Sequence, residues 1–235
     1  MLAGNDLLGA LRPAEQTMLL PFVDEITLQA NQTLFERGDR ISHCYFPREG
    51  AAVSYFVVLE DSGTIETVTI GREGALGAVI GGRDIPTVAR ACVMHPGGCY
   101  RIASTHLRRA MCDSAQIRSL FARYAVCLMA QMFQGIACNA SHTIEQRAAK
   151  WLCAAVERTR QHGITITQEQ LAGLMGSGRS YASRVVQRFK RDELLVTRRG
   201  GLEVLDYDGL LERACGCNAQ VRGHFDVVLN GAQSS

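Results

Sequence analysis

Arg179, Ser180, Ser183 and Arg184 lie within six residues of one another and combine two guanidinium forks with two small hydroxyls. A guanidinium can donate two hydrogen bonds to the O6 and N7 of a guanine, and a serine hydroxyl can donate to or accept from a base edge. Arg198 and Arg199 follow, and the segment 178–199 holds seven basic residues against Asp192 and Glu193. Such a concentration is the electrostatic footprint of a nucleic-acid surface, the plain alternative being a solvated arginine-rich helix face. The close pair Cys215-Gly216-Cys217 could chelate a metal or form a redox pair. A lone CxC nevertheless lacks the four-ligand pattern of structural zinc, so no metal site is assigned. The chain shows no glycine-rich phosphate loop, HExxH helix or GxSxG elbow, and no catalytic residue is nominated.

Those side chains need two short helices and a hairpin to position them. Thr167 and Gln170 have capping-box spacing, and Leu171, Leu174 and Met175 make the apolar side of a short helix that Gly176-Ser177-Gly178 stops. A second helix follows, with Tyr181, Val185, Val186 and Phe189 inward and the four polar residues outward. Two helices about a glycine turn, the second basic, are the layout of a helix-turn-helix. Leu195-Val196-Thr197 and Leu202-Glu203-Val204-Leu205 flank Arg198-Arg199-Gly200-Gly201, which predicts a wing with two arginines at its tip.

Upstream the text changes character. The chain of 235 residues is 47% hydrophobic and 20% charged, which is globular composition with material for one large domain or two ordinary ones. From about residue 22 to 103, strand-like runs such as Ala52–Leu59 and Thr64–Ile70 alternate with turn signals at Arg37-Gly38-Asp39, Asp61-Ser62-Gly63, Gly81-Gly82-Arg83-Asp84 and Pro96-Gly97-Gly98. A helical period then takes over at Ile117, Leu120, Phe121, Tyr124, Leu128 and Met132, and Tyr124 to Ser141 is free of charge for 18 positions. That helix is expected to pack on one side against its own roll and on the other against a second copy, through Ile117, Phe121, Tyr124, Leu128 and Met132; burial wholly within one chain is the alternative. Thr143 and Gln146 have the capping-box spacing of a further helix carrying Trp151, Leu152 and Val156. Charge follows the same division, net −3 over residues 1–114, +2 over 115–141 and +3 over 142–235. Nine cysteines at irregular spacing suggest free thiols in a reducing compartment. No export signal or membrane span is indicated, so the expected location is cytoplasmic.

Ile166-Thr167-Gln168-Glu169-Gln170-Leu171-Ala172, Gly176, Arg179-Ser180-Tyr181-Ala182-Ser183-Arg184-Val185 and Leu194-Leu195…Arg199-Gly200-Gly201-Leu202 resemble the C-terminal domain of Crp/Fnr-type bacterial transcription regulators. Phe35-Glu36-Arg37-Gly38-Asp39 and Gly74-Ala75-Leu76-Gly77 resemble that family's effector roll. The resemblance covers about residues 20–212. It implies an α+β chain: an antiparallel, cyclic-nucleotide-binding-like β-roll over 1–114, a dimerisation helix over 115–141, a winged helix-turn-helix over 142–214 and an extension over 215–235. It further implies a homodimer on an inverted repeat of double-stranded DNA, with RNA polymerase as a further partner. The DNA contacts would be Thr167, Arg179, Ser180, Ser183, Arg184, Arg198 and Arg199.

The effector end departs from the family pattern. Cyclic-nucleotide-binding members carry a glutamate for the ribose where this chain has Ala78, and an Arg-Ser pair for the phosphate near Ile85-Pro86. A buried cyclic phosphate without an arginine would be an uncompensated charge costing several kcal/mol, so cyclic AMP in the usual pose is not expected. Gly77, Ala78, Arg83 and Arg90 are the candidate effector-pocket residues, and the effector itself stays unnamed. The family's cysteine-held iron–sulfur centre has no counterpart, because the first cysteine is Cys44. His43, Cys44, His95 and Cys99 could be offered as haem ligands, but no spacing selects them, and no cofactor is expected. The leading expectation is a sequence-specific, DNA-binding regulator that is not an enzyme. The alternative is an effector-binding sensor acting through protein partners without reading DNA.

Overall fold

Turn residues cut the first hundred positions into strands too short to do anything but pair with neighbours and face a common core. The computed structural model describes residues 2–60, 63–77 and 85–230. The expected turn at Gly81-Gly82-Arg83-Asp84, the residues Asp61 and Ser62, and the pocket residues Ala78 and Arg83 lie outside those described. Two short helices, α1 (Asp6–Gly9) and α2 (Pro13–Leu19), precede eight strands: β1 (Val23–Leu28), β2 (Thr33–Phe35), β3 (His43–Pro47), β4 (Ala52–Leu59), β5 (Gly63–Ile70), β6 (Leu76–Gly77), β7 (Arg90–His95) and β8 (Gly97–Ala103). They form two antiparallel four-stranded sheets, ordered β1-β8-β3-β6 and β2-β7-β4-β5. Phe46, Val53, Ile70, Leu76, Val93 and Ile102 fill the space between the sheets. Each such side chain contributes roughly 1.5–3 kcal/mol by leaving water. Gly77 is required where β6 meets β3, since its φ is +97° and a Cβ there would overlap the His43 carbonyl oxygen.

Helix α3 (Ser104–Asp113) leads to α4 (Ala115–Ser141), whose first free N–H groups are met by Ser114, accepting from the Ile117 amide. Helix α4 is long and apolar enough to cross a membrane by length and composition alone. Here its inner face is a core face: Ile117, Leu120, Phe121, Tyr124, Cys127 and Leu128 are buried against the roll. The Tyr124 hydroxyl donates to the Ala75 carbonyl at 2.8 Å and accepts from the Ala75 amide at 2.9 Å.

The expected dimer residues therefore need correction. Ile117, Phe121, Tyr124 and Leu128 are at most 5% exposed within one chain, so they have no surface left for a second copy. Of the five, only Met132 is exposed. The outward side of α4 instead presents Ala122, Val126, Met129, Phe133, Ile136 and Ala140, with Phe133 and Ile136 each 68% exposed. The helical period marked which residues were apolar, but with apolar groups on both sides it could not say which side the roll would take.

The last turn of α4 ends at His142, and α5 (Ile144–Thr159) starts with the expected capping box of Thr143 and Gln146. Strand β9 (Gly163–Thr165), α6 (Gln168–Leu174), α7 (Arg179–Arg191), β10 (Leu195–Arg198), β11 (Gly201–Val204) and α8 (Tyr207–Arg213) complete a second unit. Its core is separate from the roll's and centres on Leu152, Ile164, Leu171, Val186, Phe189 and Leu210. The chain then returns: α9 (Cys217–Phe225) packs along α4, and Phe225 meets the Tyr124 ring edge-on at 6.4 Å between centroids.

Candidate nucleic-acid interface

The helix pair that carries the basic residues is set by one capping box and a glycine turn. Thr167 accepts from the Gln170 amide while the Gln170 side chain accepts from the Thr167 amide, which fixes where α6 begins. Leu171, Ala172 and Met175 are buried, and Gly176 makes the turn with φ +56°, a conformation a Cβ would strain. Helix α7 then buries Ala182, Val185, Val186 and Phe189. Tyr181, expected on that inner side, is 41% exposed, and Ala182 takes its place inside. The exchange has a use: the Arg184 guanidinium lies over the Tyr181 ring at 5.1 Å, so the aromatic face holds the fork out from the helix.

Arg179, Ser180 and Arg184 are exposed and Ser183 is half-buried. The N-cap of α7 is Gly178, which has no side chain to occupy the first amides, and this leaves positive dipole density facing outward. Strands β10 and β11 pair in register from Leu195↔Val204 to Arg198↔Gly201, and β11 pairs in turn with β9. The hairpin tip is Arg199-Gly200, with Gly200 at φ +80°. Arg199 is exposed there, whereas Arg198 reaches across the hairpin to Glu203 at 2.5 Å. Thr167 is exposed at the start of α6, and Arg188 is tied to Glu145. Among the described residues the two helices and the wing thus present Arg179, Arg184, Arg199 and small hydroxyls on one unit, an arrangement suited to a polyanion with a readable groove.

Of the candidate effector residues in the roll, Gly77 and Arg90 are described. Gly77 donates its amide to the Tyr55 hydroxyl at 3.1 Å. Arg90 lies over the Phe56 ring at 5.6 Å, its Nε buried without a hydrogen-bond partner among the described residues. Ile85 is 62% exposed. His95 and Cys99 are buried, and burial pulls the His95 imidazole down to about 4 while pushing the Cys99 thiol up to about 12. His43, Cys44, His95 and Cys99 are not gathered into a ligand group; among the described residues, the group that is gathered comprises Cys138, His142, Cys215 and Cys217. The sequence exposed only the CxC half of that group, because Cys138 and His142 lie more than 70 positions upstream and only the return of α9 onto α4 brings them in.

Comparison with known proteins bears on the arrangement. Residues 146–213 match the Crp-like helix-turn-helix domain. No curated protein matches the chain by sequence. Among solved structures, a CRP-family transcriptional regulator from Thermus thermophilus superposes with a TM-score of 0.67 at 19% identity, over 80% of this chain and 96% of that one. FixK2 from Bradyrhizobium japonicum gives 0.66 at 12% identity, over 82% and 98%. CLP, the c-di-GMP-responsive global regulator of Xanthomonas campestris, gives 0.65 at 15% identity, over 82% and 99%. At these identities the likeness concerns the fold: roll, long helix and winged domain in the same order.

Proposed function

The chain has the fold of the Crp/Fnr transcription regulators, with a Crp-like helix-turn-helix domain at residues 146–213, and from that premise we propose that it is a homodimeric regulator reading an inverted-repeat operator. One observation carries the proposal: Arg179, Ser180, Ser183 and Arg184 emerge together from the N-terminal turns of α7, beside a wing tipped by Arg199. Arg184 contacts a guanine in each half-site, Arg179 a neighbouring guanine or phosphate, and Ser183 a base edge or methyl group. Ser180 stands where family members often carry a glutamate, so discrimination at its base pair is weaker. Thr167, Arg198 and Arg199 hold phosphates.

The dimer forms through α4. Ala122, Val126, Met129, Phe133, Ile136 and Ala140 are spaced four and three in alternation, the seam of a two-stranded coiled coil. A two-fold axis along that seam sets the recognition helices in successive major grooves, about 10–10.5 base pairs apart. The protein acts in the cytoplasm, with RNA polymerase as a further partner, and performs no catalysis. The roll takes an effector other than cyclic AMP in the family's usual pose, with Gly77, Ala78, Arg83 and Arg90 as its candidate pocket residues.

The test is selection of bound fragments from random duplex DNA, followed by competition binding. An inverted repeat with half-site centres one helical turn apart supports the reading. Uniform, sequence-independent binding would support the alternative of a sensor acting through protein partners.

A further inference from the structure

We propose that Cys138, His142, Cys215 and Cys217 form a mononuclear, tetrahedral binding site for a zinc-class divalent ion, joining the end of α4 to the segment that leaves the winged domain. The proposal stands apart from the DNA reading, since none of these residues belongs to that surface. Cys138 lies in the last turn of α4 and His142 caps it, the His142 amide donating to the Cys138 carbonyl at 3.0 Å. Cys215 and Cys217 flank the entry to α9. The Sγ atoms of Cys138 and Cys215 are 3.6 Å apart, as are the Cys217 Sγ and the His142 Nδ1, and all four ligand atoms fall within 4.8 Å of one another.

The two 3.6 Å spacings are those of one ion, and the pairs that lie farther apart, none beyond 4.8 Å, need close by no more than about 1 Å to share it. With metal–sulfur bonds of about 2.3 Å and metal–nitrogen bonds of about 2.0–2.1 Å, a tetrahedron sets sulfurs about 3.8 Å apart and sulfur from nitrogen about 3.6 Å. A disulfide would need about 2.05 Å, so the 3.6 Å pair consists of free thiols. An iron–sulfur cluster spreads its ligands over several irons and needs a wider cage.

The surroundings distinguish the group from a small apolar cluster. The Gln134 side-chain amide donates to the Cys217 Sγ at 3.2 Å, and the Lys150 ammonium to the Cys138 Sγ at 3.4 Å. Asn218 in turn donates to the Lys150 carbonyl at 2.9 Å. Apolar packing has no need for a cation aimed at sulfur. A bound divalent ion does: three thiols lose their protons to solvent, neutral His142 offers the Nδ1 lone pair, and three thiolates with one M²⁺ leave a charge of −1 that Lys150 neutralises. The three cysteines are nearly inaccessible, which favours a closed structural site over an open catalytic one.

The decisive measurement uses the full chain, reduced and stripped by a chelator, then titrated with Co²⁺ and afterwards with Zn²⁺. Expected are visible bands of tetrahedral cobalt saturating at about one equivalent per chain, with thiolate-to-cobalt charge transfer, both erased by Zn²⁺. Cys138→Ser and Cys217→Ser should lose them, Lys150→Met should bind about tenfold more weakly, and Cys112→Ser, exposed on α3, should behave as the native chain. Should the ligand variants fail to fold, native mass spectrometry of the unaltered chain decides instead: one Zn²⁺ is retained per chain, with loss of the thiol protons. Absence of tetrahedral bands in the folded chain, bands that survive Cys138→Ser, or no Zn²⁺ retained in the native mass would each overturn the site.

Discussion

Arg184 and Arg199 are both exposed guanidinium groups, yet under the proposed reading their positions give them different work. Arg184, braced on Tyr181, is aimed from α7, whereas Arg199 sits at a hairpin tip, to the side of the reading helix. Replacing Arg184 with Ala should cost about 1–3 kcal/mol and relax preference at one base pair, while Arg199→Ala should weaken all sequences alike and lower the salt slope by about one. Competition against single-base operator variants across a salt series separates the two, and uniform loss in both mutants would remove α7 from the reading role. Arg198 differs from Arg199 because it must first leave Glu203, so Arg198→Ala should move the slope less. A second residue-scale prediction concerns His95, buried with its Nε2 lacking a hydrogen-bond partner among the described residues. Burial lowers its pKa from 6.5 to about 4, so the folded state binds a proton less readily than the unfolded state. The associated stability is present above pH 6.5 and is lost as pH falls towards 4, by about 2 kcal/mol at pH 5. Urea unfolding at pH 7 and pH 5 should show that loss in the native chain and not in His95→Leu; an equal loss in both would place the titration elsewhere.

At the scale of elements, α4 is where sequence reasoning met its limit. Its existence was legible, because the period of Ile117, Leu120, Phe121, Tyr124 and Leu128 is a local fact, whereas the Ser114 cap was not read from the sequence. The same holds for the capping boxes at Thr143 and Thr167, for β4 and β5, and for the wing, whose turn residues act over two to four positions. Which face of α4 meets the roll is a tertiary fact, decided by where Ala75 offers its backbone to Tyr124. The consequence is measurable. Phe133→Asp puts a carboxylate on the exposed seam and should leave a folded monomer at low micromolar concentration. Leu128→Asp puts one into the roll's core, where an unpaired charge is strongly destabilising, and should lower the melting temperature before it alters assembly. Sedimentation and thermal melts of the two variants distinguish these outcomes, and a stable Phe133→Asp dimer would exclude the seam. The tail is the other non-local case, since nothing near Phe225 in sequence announces that it will pack on Tyr124.

For the whole molecule the question is what sets the winged unit's orientation on the roll. Among the described residues four polar contacts cross that boundary: Trp151 donates from Nε1 to the Glu66 carboxylate at 3.1 Å, Arg158 pairs with Glu73 at 2.7 Å, Arg160 pairs with Glu49 at 2.7 Å, and Gln170 donates to Asn31 at 2.9 Å. Glu66 is the centre of this joint, because Ser54 and Thr69 also converge on its Oε1. Burial raises its pKa, and the hydrogen bonds from Ser54 and Thr69, the Arg158 charge and the Trp151 bond only partly oppose that. Its contribution is thus complete below the unfolded carboxylate range and declines as pH rises, opposite in sign to that of His95. Glu66→Ala should strand the indole N–H and one of the two hydroxyls, since Ser54 and Thr69 still pair with each other at 2.8 Å, at a cost of about 1–3 kcal/mol each if they stay dry, so the joint is expected to open to water instead. Trp151 is the single tryptophan of the chain, and its emission therefore reports this joint alone. The emission should shift to the red and become more readily quenched in Glu66→Ala, while Glu66→Gln, which keeps an acceptor without the charge, should stay near the native spectrum and lose its stability less steeply from pH 5 to pH 8. Native-like emission in Glu66→Ala would mean that the Arg158–Glu73 pair and the contact of α6 on β5 hold the winged unit in place without it.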